Sequence, residues 1–247
     1  MNFLEYLGTE EQNMLTSIIN FKADFDLFYE LDGIYQAPIS SFLGTEGEEL
    51  VPTLYLFVHF HLYFTTSCLL RSHLSEALVS LRKAIDAGLT AYAILLDPGK
   101  AEAYVNRDKF FLHIKANVQT AIKKDAAAYP LAQNLIQIHD MCSQYGSHSD
   151  VDSFFHRLET KGEDSSDRYE LFLHYFQFPK GGSEEYRFYF LSVLQAFLLI
   201  FLIFKVFFSQ KLRIIDPVWE QRIAKLGTYL DRERQQAYEK FTKSTDD

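Results

Sequence analysis

The chain has 247 residues, with 24 Lys and Arg against 33 Asp and Glu, a formal net charge of −9 at neutral pH. That sign excludes a broad electrostatic grip on nucleic acid and leaves room only for a local basic patch, so RNA is a possible partner that the net charge does not support. Hydrophobic residues at 48% and aromatics at 16% exclude a disordered chain, and only Cys68 and Cys142 occur, too few for a disulfide framework or a zinc-knuckle spacing.

Residues 1–45 read as an N-terminal helix and loop. Met14, Ile18, Phe21, Phe25 and Phe28 step by four and three through 10–29, and Gly33, Pro38 and Gly44 then mark a turn-rich stretch. Residues 46–150 read as a helical core. A second helix runs from about 46 to 71 with Pro52 near its start, where a missing N–H costs little. Leu74, Leu78, Leu81, Ile85, Leu89, Tyr92 and Leu96 make the clearest amphipathic helix, stopped by Asp97-Pro98-Gly99. Residues 101–124 form one or two helices, and Tyr129-Pro130 opens another that ends near Gln144.

The period then changes. Residues 154–160 and 169–177 are rich in Phe, Tyr and Leu around a polar connection, which predicts a β-hairpin within 151–180. Residues 181–247 hold two long helices, the first started by Ser183, Glu184 and Glu185, the second by Asp216-Pro217 and carrying the stripe Trp219, Ile223, Leu226, Leu230. The expected fold is mainly α, a single-domain multi-helix bundle with one small β-hairpin at about 154–177 before the last two long helices.

Two apolar runs raise the question of a membrane. Residues 51–70 hold no Asp, Glu, Lys or Arg, and 188–208 hold only Lys205, so both reach a bilayer-spanning length. His59, His61, Thr65, Thr66 and Ser67 in the first run, and Ser192 and Gln195 in the second, are costly beside lipid, and Lys and Arg flank the second run on both sides. The preferred reading is two central helices of a soluble, cytoplasmic bundle, with a two-span membrane protein as the alternative. Two reduced cysteines and a start without a basic-then-apolar order agree with that compartment. Self-association is expected too, since 23 Phe, 15 Tyr and 1 Trp exceed what one core of this size uses.

Candidate chemistry is sparse. Arg82 and Asp86 lie one turn apart on the flank of the amphipathic helix, either as an oriented anion-binding pair or as an ordinary ion pair. Tyr145-Gly146-Ser147-His148-Ser149-Asp150 is the densest polar cluster. There His148 is a candidate general base, and Tyr145, Ser147 and Asp150 are candidate binding or capping groups. Arg82, Asp86 and His148 are expected to converge near the Gly146 turn. His59 and His61 fall about 200° apart on a helix, and His73, His113 and His139 sit on different helices, so no metal site is drawn and no cofactor is implied.

The segment from about His59 through His148, with Leu70-Arg71-Ser72-His73, Ser80-Leu81-Arg82-Lys83-Ala84-Ile85-Asp86-Ala87 and Tyr145-Gly146-Ser147-His148, resembles prokaryotic helical proteins grouped with the HEPN superfamily. The resemblance implies a helical bundle, often dimeric. It belongs either to a binding module or to a metal-independent ribonuclease of toxin or defence systems, whose Arg and His stand four to six residues apart on a helix. Arg107 with His113, and Arg168 with His174, meet that spacing. Two function classes stay open: a helical interaction or regulatory module, and a HEPN-like ribonuclease acting through Arg107 and His113 or through Arg82, Asp86 and His148.

Overall fold

The structure is a computed structural model that describes residues 1–39, 50–144, 158–162, 169–176, 182–209 and 217–244. Among them stand ten helices: α1 (Phe3–Asn20), α2 (Lys22–Gln36), α3 (Leu50–Leu70), α4 (Leu74–Leu96), the short α5 (Lys100–Val105) and α6 (Lys109–Leu112), α7 (Ile114–Lys124), α8 (Gln133–Cys142), α9 (Gly182–Phe207) and α10 (Pro217–Ser244). Between α8 and α9, strands β1 (Leu158–Gly162) and β2 (Tyr169–Leu173) pair antiparallel, with Leu158 opposite Leu173 and Gly162 opposite Tyr169. The connection between them lies outside the described residues.

The N-terminal stripe is carried by two helices rather than one. Asn2 and Glu5 form a reciprocal capping box that starts α1 well before residue 10. The helix breaks at Phe21 (φ −109°, ψ 29°), whose ring stacks on Tyr186 with centroids 5.2 Å apart. Gly33 does not end the second helix, which runs on to Gln36. Residues 101–124 likewise form three helices instead of one or two, because Asn106–Asp108 and His113 leave helical geometry.

α9 is the axis of the bundle. Phe190, Phe197, Phe201 and Phe204 are almost wholly buried, and no apolar side chain of α9 is exposed, because α2, α3, α4, α8 and α10 pack around it. α4 lies beside it so closely that Gly88 sits against Ile200. From Ala87 to Ile94 every residue of α4 is buried, so its C-terminal half is enclosed on all faces and only its first half is amphipathic.

Aromatic residues supply the polar stitching between these helices. Tyr55 donates to the carbonyl of Tyr35 at 2.6 Å, Trp219 to that of Ile34 at 3.3 Å, and Tyr186 to that of Leu69. All three acceptors lie in the last turn of a helix, where carbonyls lack an intrahelical partner. Tyr35, itself fully buried, donates to the Phe197 carbonyl at 2.7 Å. Burial pushes the Tyr35 and Tyr55 hydroxyls well above their ordinary range, and that of Tyr186 to about 12, so each remains a neutral donor.

Candidate functional site

α4, α7 and α8 enclose a cleft of about 580 Å³ whose rim is completed by Thr53 and Phe57 of α3 and by Tyr104 and Phe111. Three fixed cations line it or its edge: Arg82 and Lys83 from α4 and Lys115 from α7. Lys115 is held by Asp140 of α8 at 2.5 Å. Two imidazoles, His113 and His139, and one carboxylate, Asp86, face the same space. This local surplus of cations and N–H donors stands in a chain of net charge −9.

His139 is the centre of the arrangement. It sits on the buried stripe of α8 with Leu135, Ile136 and Cys142, so the helix that packs against α4 also presses the imidazole toward Arg82. Arg82 Nε donates to His139 Nε2 at 3.3 Å, and Asp86 Oδ1 lies 3.1 Å from the same nitrogen. On the other side of the ring, the Ser143 hydroxyl donates to the His139 carbonyl at 2.8 Å, which leaves Ser143 Oγ to accept from Nδ1 at 3.4 Å.

Nε2 therefore faces a guanidinium donor and a carboxylate acceptor at once: as a lone pair it accepts from Arg82, and as N–H it donates to Asp86. Gaining a proton on Nε2 turns that atom into a donor toward Asp86 and releases Arg82 Nε. A single proton therefore exchanges one partner for the other. That is the property required of a group that alternates between base and acid, or that frees a guanidinium for an incoming anion.

The residues expected from the sequence divide into three groups. Arg82, Asp86 and His113 line the cleft. Tyr145, Ser147, His148, Asp150 and Arg168 lie outside the described residues, so the expected convergence on His148 does too. The third group is Arg107, which does not share a helix with His113. It occupies a left-handed turn (φ 56°) after α5, while His113 (φ −126°, ψ 37°) is the joint between α6 and α7, and the cleft lining includes His113 without Arg107. A regular helix would also have separated their side chains by about 120°, and the chain breaks twice between them instead.

His139 is the residue that sequence reading passed over. Its spacing of four from Leu135 and three from Cys142 puts it on an apolar stripe, and a polar side chain on such a stripe needs a partner. The other buried histidines have structural partners: His59 Nε2 meets Asp32 Oδ1 at 2.8 Å, and His61 Nδ1 meets Ser80 Oγ at 2.8 Å. Burial, reinforced by Lys83, depresses the His61 pKa. Desolvation pushes the buried thiols of Cys68 and Cys142 to about 11 and about 12, so neither is a nucleophile at neutral pH. Among the described residues no group of three His, Cys, Asp or Glu gathers around a point. Comparison with family models, with curated proteins and with solved structures finds no match to this chain.

Proposed function

We propose that this chain is a cytoplasmic helical interaction or regulatory module that takes a phosphate-bearing anion in the cleft between α4, α7 and α8, with residues 154–177 forming one small β-hairpin appended to the bundle. The observation that carries the reading is the meeting of Arg82 and His139 beside Lys83, Lys115 and His113, a concentrated set of anion donors in an acidic chain, with the Asp86 carboxylate as the partner of His139. An anion in the cleft can accept from Arg82, Lys83 and Lys115, and charge-assisted hydrogen bonds of this kind discriminate strongly for phosphate-like shapes.

A second reading, a HEPN-like metal-independent ribonuclease, is favoured by the two imidazoles that share one cleft with an arginine. One imidazole accepts the proton of a ribose 2′-hydroxyl as O2′ bonds to phosphorus, the other protonates O5′ as the P–O5′ bond breaks, and Arg82 neutralises the non-bridging oxygens. One measurement tests the cleft and a second separates the readings. Inorganic pyrophosphate should bind the wild type and fail to bind Arg82→Ala under either. Cleavage of labelled RNA in excess EDTA, lost by about 100-fold or more in His139→Gln, belongs to the nuclease alone. Binding without cleavage leaves the module, and absence of both refutes the cleft as a site.

A further inference from the structure

α3 carries a second feature, which meets the cleft only at Thr53 and Phe57. Its solvent side exposes Leu56 (45%), Phe57 (44%), Phe60 (56%), Tyr63 (43%) and Phe64 (48%), all large and apolar, on a helix that holds no Asp, Glu, Lys or Arg. With Thr53 and Ser67 at its ends, the stripe Thr53, Leu56, Phe60, Tyr63, Ser67 steps by three and four, the seam spacing of two helices packed side by side. The face is also held in place before any partner arrives. Tyr63 donates to Asp32 at 2.6 Å, Phe60 stacks on Phe64 with centroids 6.0 Å apart, and Phe57 stands edge-on to the buried His61 at 4.4 Å.

We propose that this face seats the same face of a second copy of this chain, as an antiparallel pair of α3 helices with Phe60 on the two-fold axis. The pattern is self-complementary about that residue. Thr53 comes level with the partner's Ser67, so the small residues meet at the ends and let the helices approach. Leu56 meets the partner's Phe64 and Phe57 the partner's Tyr63, so the bulky residues fill the middle. The α3 residues of the seam carry no charge themselves, and the charges beside it are of both signs, Asp32 accepting from Tyr63 and Arg71 donating to Ser67.

The area agrees with a dimer of modest affinity. Five side chains of this size, each about half exposed, present about 500 Å² per copy and about 1,000 Å² across a two-fold contact, the lower bound for a specific interface. A bilayer is a poorer match, because residues 56–64 extend only about 12 Å along the axis against a hydrocarbon thickness of about 30 Å. Phe57 belongs both to the seam and to the cleft rim, so pairing places the partner's Tyr63 beside the mouth of the cleft. The inference rests on the α3 face and does not depend on what the cleft binds.

Sedimentation velocity on the full chain without detergent, over about 1 to 200 μM, should show a concentration-dependent monomer–dimer equilibrium, and Phe60→Asp should weaken it by about 100-fold or more, since two carboxylates then meet on the axis. Phe60→Cys keeps the idea testable if the aspartate variant misfolds. Under mild oxidation it should give a covalent dimer, while a Leu56→Cys chain crosslinks only when mixed with Phe64→Cys. A wild type monomeric throughout that range, dimers indifferent to Phe60→Asp, absence of the Phe60→Cys crosslink, or recovery of the chain only with detergent would each overturn the proposal. Pyrophosphate binding by Phe60→Asp tells a failed dimer apart from a failed cleft.

Discussion

Arg187 reaches from α9 to two carboxylates at once, with Nε and Nη2 on Asp24 of α2 at 2.7 and 2.9 Å and Nη2 on Glu233 of α10 at 2.8 Å. Asp24 is 5% exposed, so removing the guanidinium strands a carboxylate away from water. Arg187→Met should therefore destabilise the fold by about 3–5 kcal/mol, measured by urea unfolding at neutral pH. The pH dependence carries a sign. The hydrogen bond from Arg187, followed by that from Arg232, holds Glu233 below the ordinary carboxylate range, and Arg222 does the same for Glu30. Stabilisation from such groups is complete above the unfolded carboxylate pKa and is lost as the pH falls through the depressed folded value, so wild-type stability should decline on acidification. In Arg187→Met the part of that decline owed to the Arg187–Glu233 bond should vanish, leaving the part owed to Arg232 and narrowing the gap between the two proteins. A gap that stays constant into acid would count against the pairing. None of this was visible in the linear chain, because Asp24, Arg187 and Glu233 are brought together only by the packing of three distant helices. Arg82 was different: its place on the flank of an apolar stripe announced a half-buried cation, and Asp86 one turn on announced a neighbour, while the third member, His139, needed the α4–α8 contact.

Helix boundaries show the same division between local and distant causes. Pro217 at the first position of α10 is a signal written in adjacent residues, and the chain follows it. The break at Phe21 has no such signal, since the apolar stripe runs through it unbroken; it falls where Phe21 stacks on Tyr186 of another helix. Gly33 misleads too: it lies inside α2 rather than at a turn, with the mobile end of the Arg222 side chain beside it. Close approach governs Gly88, where a Cβ would meet Ile200 Cγ2 at 2.9 Å, and Ile200 is fully buried and stiff at χ1. Gly88→Ala should cost about 1–3 kcal/mol of overpacking against a helix-propensity gain of about 1 kcal/mol, for a net loss. Gly8 of α1 supplies the contrast, since a Cβ there would meet nothing within 4 Å. Gly8→Ala should accordingly gain about 0.5–1 kcal/mol. Thermal unfolding of the two variants checks the pair, and stabilisation by both would contradict the tight α4–α9 contact.

At the scale of the molecule, two helices long and apolar enough to cross a bilayer are used differently. α9 leaves none of its apolar residues exposed, with Phe188, Leu199, Leu202 and Val206 half-buried, whereas α3 leaves one stripe open. Hydropathy alone does not tell these cases apart, because an enclosed helix and a lipid-facing one need the same side chains; only the neighbours distinguish them. Among the described residues the apolar stripe of α3 thus lies beside the cleft lined by Arg82, Lys83 and Lys115. The cleft carries the central claim. Its most direct test follows the imidazole resonances of His113 and His139 by NMR while inorganic pyrophosphate is titrated to about 10 mM, a binding free energy of about −3 kcal/mol. Both rings should shift together along one saturating curve, and Arg82→Ala should abolish the shift in a chain that remains folded. Rings that do not move, or that move identically in Arg82→Ala, would contradict it.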